Sequence, residues 1–109
     1  MENAPPVLAC NLNAVTEDRR PRYTTLMKRL RSAVYDPDEL PDGYAWRLHS
    51  DAMSLPEVAE WITIERLCCP FLIFNLEVSG DSETCLTLRG PSGVKDILRE
   101  EFLRDTQPT

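Results

Sequence analysis

The chain has 109 residues and a formal net charge of -6, with 42% hydrophobic and 28% charged residues, the balance of an ordinary soluble globular domain. That length holds one domain with a real core and leaves no room for a second. The acidic balance disfavours non-specific attraction to nucleic acid or to an anionic membrane surface, and no run approaches the roughly 20 apolar residues that cross a bilayer.

Met1-Glu2-Asn3-Ala4-Pro5-Pro6 lacks the basic start and apolar stretch of a secretory signal, so a cytoplasmic location is expected. Residues 1–6, with paired prolines, read as a disordered lead-in. One domain is expected over residues 7–104, and a frayed tail over 105–109.

Residues 7–12 alternate, with Leu8, Cys10 and Leu12 on one side, which predicts a short strand whose Cys10 face looks inward. Thr16 is a plausible cap for a first helix reaching about Val34, although Pro21 moves its regular start nearer to Arg20. Tyr23, Leu26, Met27, Leu30 and Val34 form its stripe at helical spacing. Arg19, Arg20, Arg22, Lys28, Arg29 and Arg31 cluster there as well. Without aromatic or glycine interleaving they read as the solvated face of that helix and not as a nucleic-acid footprint.

Asp36-Pro37-Asp38 and Pro41-Asp42-Gly43 predict a polar loop. Residues 43–49 alternate again and predict a strand with Trp46 in the core and His49, a surface histidine, near its end. Ser54 and Glu57 have the spacing of a capping box and open a second helix. Its expected stripe is Leu55, Val58, Ala59 and Ile62, leading to Cys69, beside a row of Trp61, Glu65 and Cys68. Pro70 disfavours helical geometry at Cys69, so this helix should stop near Cys68.

Phe74, Leu76 and Val78 define one face of a third strand. Gly80-Asp81-Ser82-Glu83 forms a turn, and residues 84–89 return with Leu86 and Leu88 inward and Cys85 on the other side. Gly90-Pro91-Ser92-Gly93 lacks the lysine and spacing of a P-loop and reads as a turn. A last helix over residues 94–103 carries Val94, Ile97, Leu98 and Phe102. The order β-α-β-α-β-β-α predicts an α+β fold, a small mixed sheet covered by helices on one face.

The chemistry is concentrated in Glu65-Arg66-Leu67-Cys68-Cys69-Pro70-Phe71-Leu72. A carboxylate three and four residues before two thiols shares their side of the helix. Four cysteines and a single histidine do not make the paired spacing of a zinc ribbon or a Cys/His finger. In a cytosolic chain such cysteines are expected to be reduced, metal-bound or redox-active and not a structural disulfide framework.

Three readings are open. The thiols can be small hydrophobes closing a helix. They can be a redox pair, although the negative pole of a helix end raises a thiol pKa and so disfavours an activated nucleophile. They can also hold a soft ion such as Cu(I), Zn(II), Hg(II) or As(III), which thiolates select and which supplies the missing positive charge. Cys10 reaching the helix end would complete a three-thiolate cup.

Cys10-Asn11-Leu12, then Glu65-x-x-Cys68-Cys69-Pro70-Phe71-Leu72-x-Phe74-x-Leu76, then Gly90-Pro91 before the last helix, resemble a group of small uncharacterised bacterial proteins. That group is linked to mercury and other heavy-metal resistance. The resemblance implies a metal-related role and carries no catalytic residue with it. The expected ligands are Cys10, Cys68, Cys69 and Glu65, with Glu65 as fourth ligand or as an outer partner. The rival class is an interaction module with packed cysteines, whose Trp61 helix forms a homodimer face. A thiol-dependent redox enzyme comes third. No nucleic acid or membrane is expected as a partner.

Overall fold

In the computed structural model, which describes residues 10–80 and 83–103, helices and β-hairpins alternate along the chain. Helix α1 (Arg20–Ala33) has Pro21 in its first turn, where a missing N–H costs nothing, and buries Leu26, Met27, Leu30 and Ala33. Strands β1 (Val34–Leu40) and β2 (Gly43–Leu48) follow, then helix α2 (Leu55–Cys68). Strands β3 (Ile73–Ser79) and β4 (Glu83–Arg89) form the second hairpin, and helix α3 (Val94–Leu98) runs into a π-helical turn at Arg99–Leu103.

The fold is α+β, with sheet order β1-β2-β4-β3. All three pairings are antiparallel, so the sheet is antiparallel throughout and not mixed. Antiparallel sheets can keep one face wet, and this one does. Tyr44, Trp46, Leu48, Leu86 and Leu88 are buried on the inner face, together with residues of all three helices. Trp46 packs on Phe102 with ring centroids 4.8 Å apart, and Trp61 meets Phe74 edge-on at 5.8 Å. The outer face carries Arg47, Cys85, Thr87, Asn75 and Glu77.

The strand expected over residues 7–12 is not found where the chain is described. Cys10 and Asn11 are irregular, and Leu12–Ala14 forms one 3-10 turn. The Asn11 side chain accepts a hydrogen bond from the Asn13 N–H at 3.1 Å, the local alternative that asparagine offers to a ladder. Residues 7–9 lie outside the described residues, as do the lead-in 1–6 and the tail 105–109.

Conversely, β1 occupies part of the stretch that reads as a loop. It is an edge strand with a register irregularity between Tyr35 and Asp38, and Asp36 has φ of 56°. Edges and bulges are where a sheet tolerates proline, which is how Pro37 fits. Gly43 begins the next strand because a Cβ there would sit 1.9 Å from the Leu88 carbonyl oxygen.

Helix α2 has the expected capping box at Ser54 and Glu57, but it is rotated relative to the expected stripe. Val58, Trp61, Ile64, Glu65 and Cys68 are buried, whereas Leu55 is exposed. The row carrying Trp61, Glu65 and Cys68 is therefore the core row. Arg22 reaches Glu60 and Arg29 reaches Glu57, so much of the basic cluster on α1 is tied to the acidic flank of α2. Among the described residues no helix is long and apolar enough to cross a membrane.

Candidate thiol and carboxyl site

Cys68 is the last residue of α2, and Cys69 (φ -126°) is the first outside it, as Pro70 requires. The Cys69 N–H still donates to the Glu65 carbonyl at 2.8 Å, so the chain leaves the helix without releasing its last turn. The two adjacent sulfurs come to 3.7 Å. Cys10 is brought to them by a backbone hydrogen bond of 2.8 Å from the Asn11 N–H to the Cys68 carbonyl.

Cys10 and Cys69 are joined by a disulfide across a sequence separation of 59, with Cα atoms 4.7 Å apart. Against the expectation of reduced, metal-bound or redox-active cysteines and no disulfide framework, one pair is bridged. Cys68 is the free, buried thiol of the cluster. The donor atoms of Cys10, Glu65, Cys68 and Cys69 all lie within 4.8 Å of one another. These are the four residues expected from sequence, and the irregular segment delivers Cys10 as effectively as a strand would.

Glu65 is 0% exposed, an unusual position for a carboxylate. Its Oε1 accepts a hydrogen bond from the Tyr23 hydroxyl at 2.6 Å and a weaker one from the Cys68 thiol at 3.6 Å. Burial raises the Glu65 pKa above the usual carboxylate range, against the opposing effects of Tyr23, Cys68, Glu101 and Arg31. Burial, and then the charge of Glu65, pushes the Cys68 thiol up to about 12. The Tyr23 phenol is raised by the same two causes.

Glu101 is a second, half-buried acid at this corner, with Oε2 3.3 Å from the Cys10 sulfur. Burial and the neighbouring Glu65 raise its pKa to about 8. Each of the two carboxyls bears on the other's titration. With both ionised, the buried atoms Glu65 Oε2 and Glu101 Oε1 have no hydrogen-bond partner, a costly arrangement that a shared proton relieves. Arg31 donates from Nε to the Glu101 carbonyl at 2.7 Å and adds the nearby positive charge.

Tyr23 was legible only as part of an apolar stripe, and Glu101 was not singled out. A signal existed for both. Val94, Ile97, Leu98, Glu101 and Phe102 follow the i, i+3, i+4, i+7, i+8 pattern of one helical face, so an acid stands at a core position. Tyr23 heads the corresponding row on α1.

Cys85 does not join the cluster. It sits on the outer sheet face, opposite Arg47 and Glu77 in register. His49 is exposed and stacks on Tyr35 with centroids 4.0 Å apart. Trp61 is 0% exposed and its indole N–H points to the Met27 sulfur at 3.2 Å, so this side chain belongs to the core. No protein-family model, curated protein or solved structure matches the chain.

Proposed function

We propose that the reduced chain binds a soft heavy-metal or metalloid ion through Cys10, Cys68 and Cys69, with Glu65 as fourth ligand or as hydrogen-bonding partner of a ligand sulfur. The observation that carries this reading is the convergence of three sulfurs and one buried carboxyl within 4.8 Å. Thiolates select soft ions. In the ligand-free chain the Cys68 thiol is protonated at neutral pH, because burial and Glu65 hold its pKa near 12. A bound cation reverses that balance by supplying the charge that the helix end and the acids withhold.

The disulfide takes two of the three sulfurs out of play, so binding belongs to the reduced state and to a reducing compartment. A redox role is the second reading, favoured by the free Cys68 sulfur at 3.7 Å from the bonded Cys69 sulfur. The raised Cys68 pKa opposes it, because the thiolate is the attacking species in exchange.

Titrating the reduced protein with Hg(II) or Cu(I) should give saturable binding near one ion per chain with thiolate-to-metal absorption. The double substitution Cys68→Ser, Cys69→Ser should abolish it, Cys85→Ser should leave it intact, and affinity should weaken as pH falls and protons compete for the ligands. Tight binding that survives in the double variant would refute the site and assign the pair to packing.

A further inference from the structure

We infer that the ligand of this site is a trivalent metalloid taken up as its neutral hydroxide, As(OH)3 or Sb(OH)3, and held by Cys10, Cys68 and Cys69 in a three-sulfur pyramid. The inference rests on the thiolate-site reading and narrows it to one class.

Geometry makes the first selection. With metal–sulfur bonds of about 2.3 Å, two sulfurs 3.7 Å apart subtend an angle of about 107° at a shared centre. A centre held linearly between two sulfurs would need them roughly 4.6 Å apart at that bond length. Adjacent residues at the end of a rigid helix have no ready means of spreading so far. The angle suits a pyramidal or tetrahedral centre, and the Cys10 sulfur, bonded to Cys69 in the oxidised chain, lies within 4.8 Å of the other donors.

Charge makes the second selection. Cys68 and Cys69 are 1% and 0% exposed, and Glu65 is 0% exposed. A net charge left in such a place is expensive. Three thiolates on a monovalent ion leave -2, and on a divalent ion -1. The corner already holds the carboxyls of Glu65 and Glu101 against the guanidinium of Arg31, so it has no surplus positive charge to offset either. Three thiolates on a trivalent metalloid leave zero. A pyramidal centre also asks for no fourth ligand, so Glu65 keeps its 2.6 Å hydrogen bond from Tyr23.

The reaction balances without oxidant or added base. A small dithiol first reduces the Cys10–Cys69 bond, giving two protein thiols and the cyclic disulfide of the reductant. Three S–H bonds and three metalloid–oxygen bonds then break, three metalloid–sulfur bonds form, and three waters leave. The metalloid remains trivalent, and no net proton is released.

The test uses the full-length reduced chain with sodium arsenite, and separately with Zn(II) and Hg(II). Native mass spectrometry should show one arsenic per chain with the loss of three protein protons, and X-ray absorption should count three sulfur neighbours and no oxygen. Cys10→Ser, Cys68→Ser and Cys69→Ser should each weaken arsenite binding by more than the roughly 10–100-fold typical of losing an outer partner of a ligand. Cys85→Ser should not weaken it. The absorption count on the unsubstituted chain holds even if a variant fails to fold. Arsenite held by two sulfurs, or ignored while Zn(II) or Hg(II) occupies the same cysteines, would overturn this inference and leave the thiolate site standing. If none of the three probes binds, both fall.

Discussion

Cys68 and Cys85 lie on opposite faces of the molecule, each beside an acid, and their circumstances could hardly differ more. Cys68 is at a helix end under the sheet, with Glu65, Tyr23 and two further sulfurs around it. Cys85 stands on the wet face of β4 opposite Arg47, itself paired with Glu83 at 2.7 Å, and Glu77. Thiol and carboxyl are the same groups in both places. What separates them is water. Where it is excluded, burial raises every acid of the cluster and makes each dependent on the next; where it is present, ion pairs between exposed side chains contribute about 0–1 kcal/mol each.

Three measurements probe that contrast, beginning with the largest effect. Reducing the Cys10–Cys69 bond, which spans a separation of 59 residues, should lower stability by about 4 kcal/mol on the chain-entropy model of loop closure. Urea unfolding of oxidised and reduced protein reads this directly. A change below about 1 kcal/mol would mean that the bridge restrains little.

The second concerns pH. Glu101 has its folded-state pKa raised to about 8 from the ordinary carboxyl value of 4.5. Between those limits the folded chain holds a proton that the unfolded chain has lost, so stability falls as pH rises, by about 1.4 kcal/mol per unit in mid-window. Below pH 4.5 both states are protonated and above about 8 neither is, so the contribution levels off on each side. Glu65, shifted in the same direction, adds to the slope. Glu101→Gln should flatten it, and a slope unchanged in that variant would remove Glu101 as its source.

The smallest effect belongs to the outer face. Cys85→Ser should change stability by no more than about 0.5 kcal/mol, as surface substitutions usually do. In the native reduced protein, alkylation should reach Cys85 well before the buried Cys68. Equal rates would show that the inner corner opens far more readily than its burial implies.

The ends of α2, the second hairpin and the location of the reactive corner were legible because local chemistry fixes them. The capping box at Ser54 and Glu57, and the stop that Pro70 imposes, need no tertiary information. The four clustered residues could be read from one stripe and one alternation. The rotation of α2 could not, because Leu55, Val58, Ala59 and Ile62 offer an apolar stripe as plausible as the true one, and only packing against the sheet decides between them. Residues 36–38 misled for a different reason: aspartate and proline are turn residues in most settings, and an edge strand is the setting that forgives them. The Cys10 alternation suggested a strand, although Asn11 is bound within its own turn. Glu101 was hidden by the habit of treating glutamate as solvent-facing.

The two edges of the sheet differ in one more way that bears on crowding. Along β1, Pro37 has no N–H to offer, and the left-handed Asp36 breaks the run of donors and acceptors. Along β3, the other edge of the described sheet, the strand is regular, with Ile73 and Val78 exposed and Glu77 its one charge. Among the described residues, β3 is therefore the edge from which an intermolecular ladder can start. Two molecules meeting there occupy each other's sole adhesive border, and the blunt borders left outside give a third molecule nothing to extend. Strand-to-strand association through the edges of the described sheet should therefore stop at pairs.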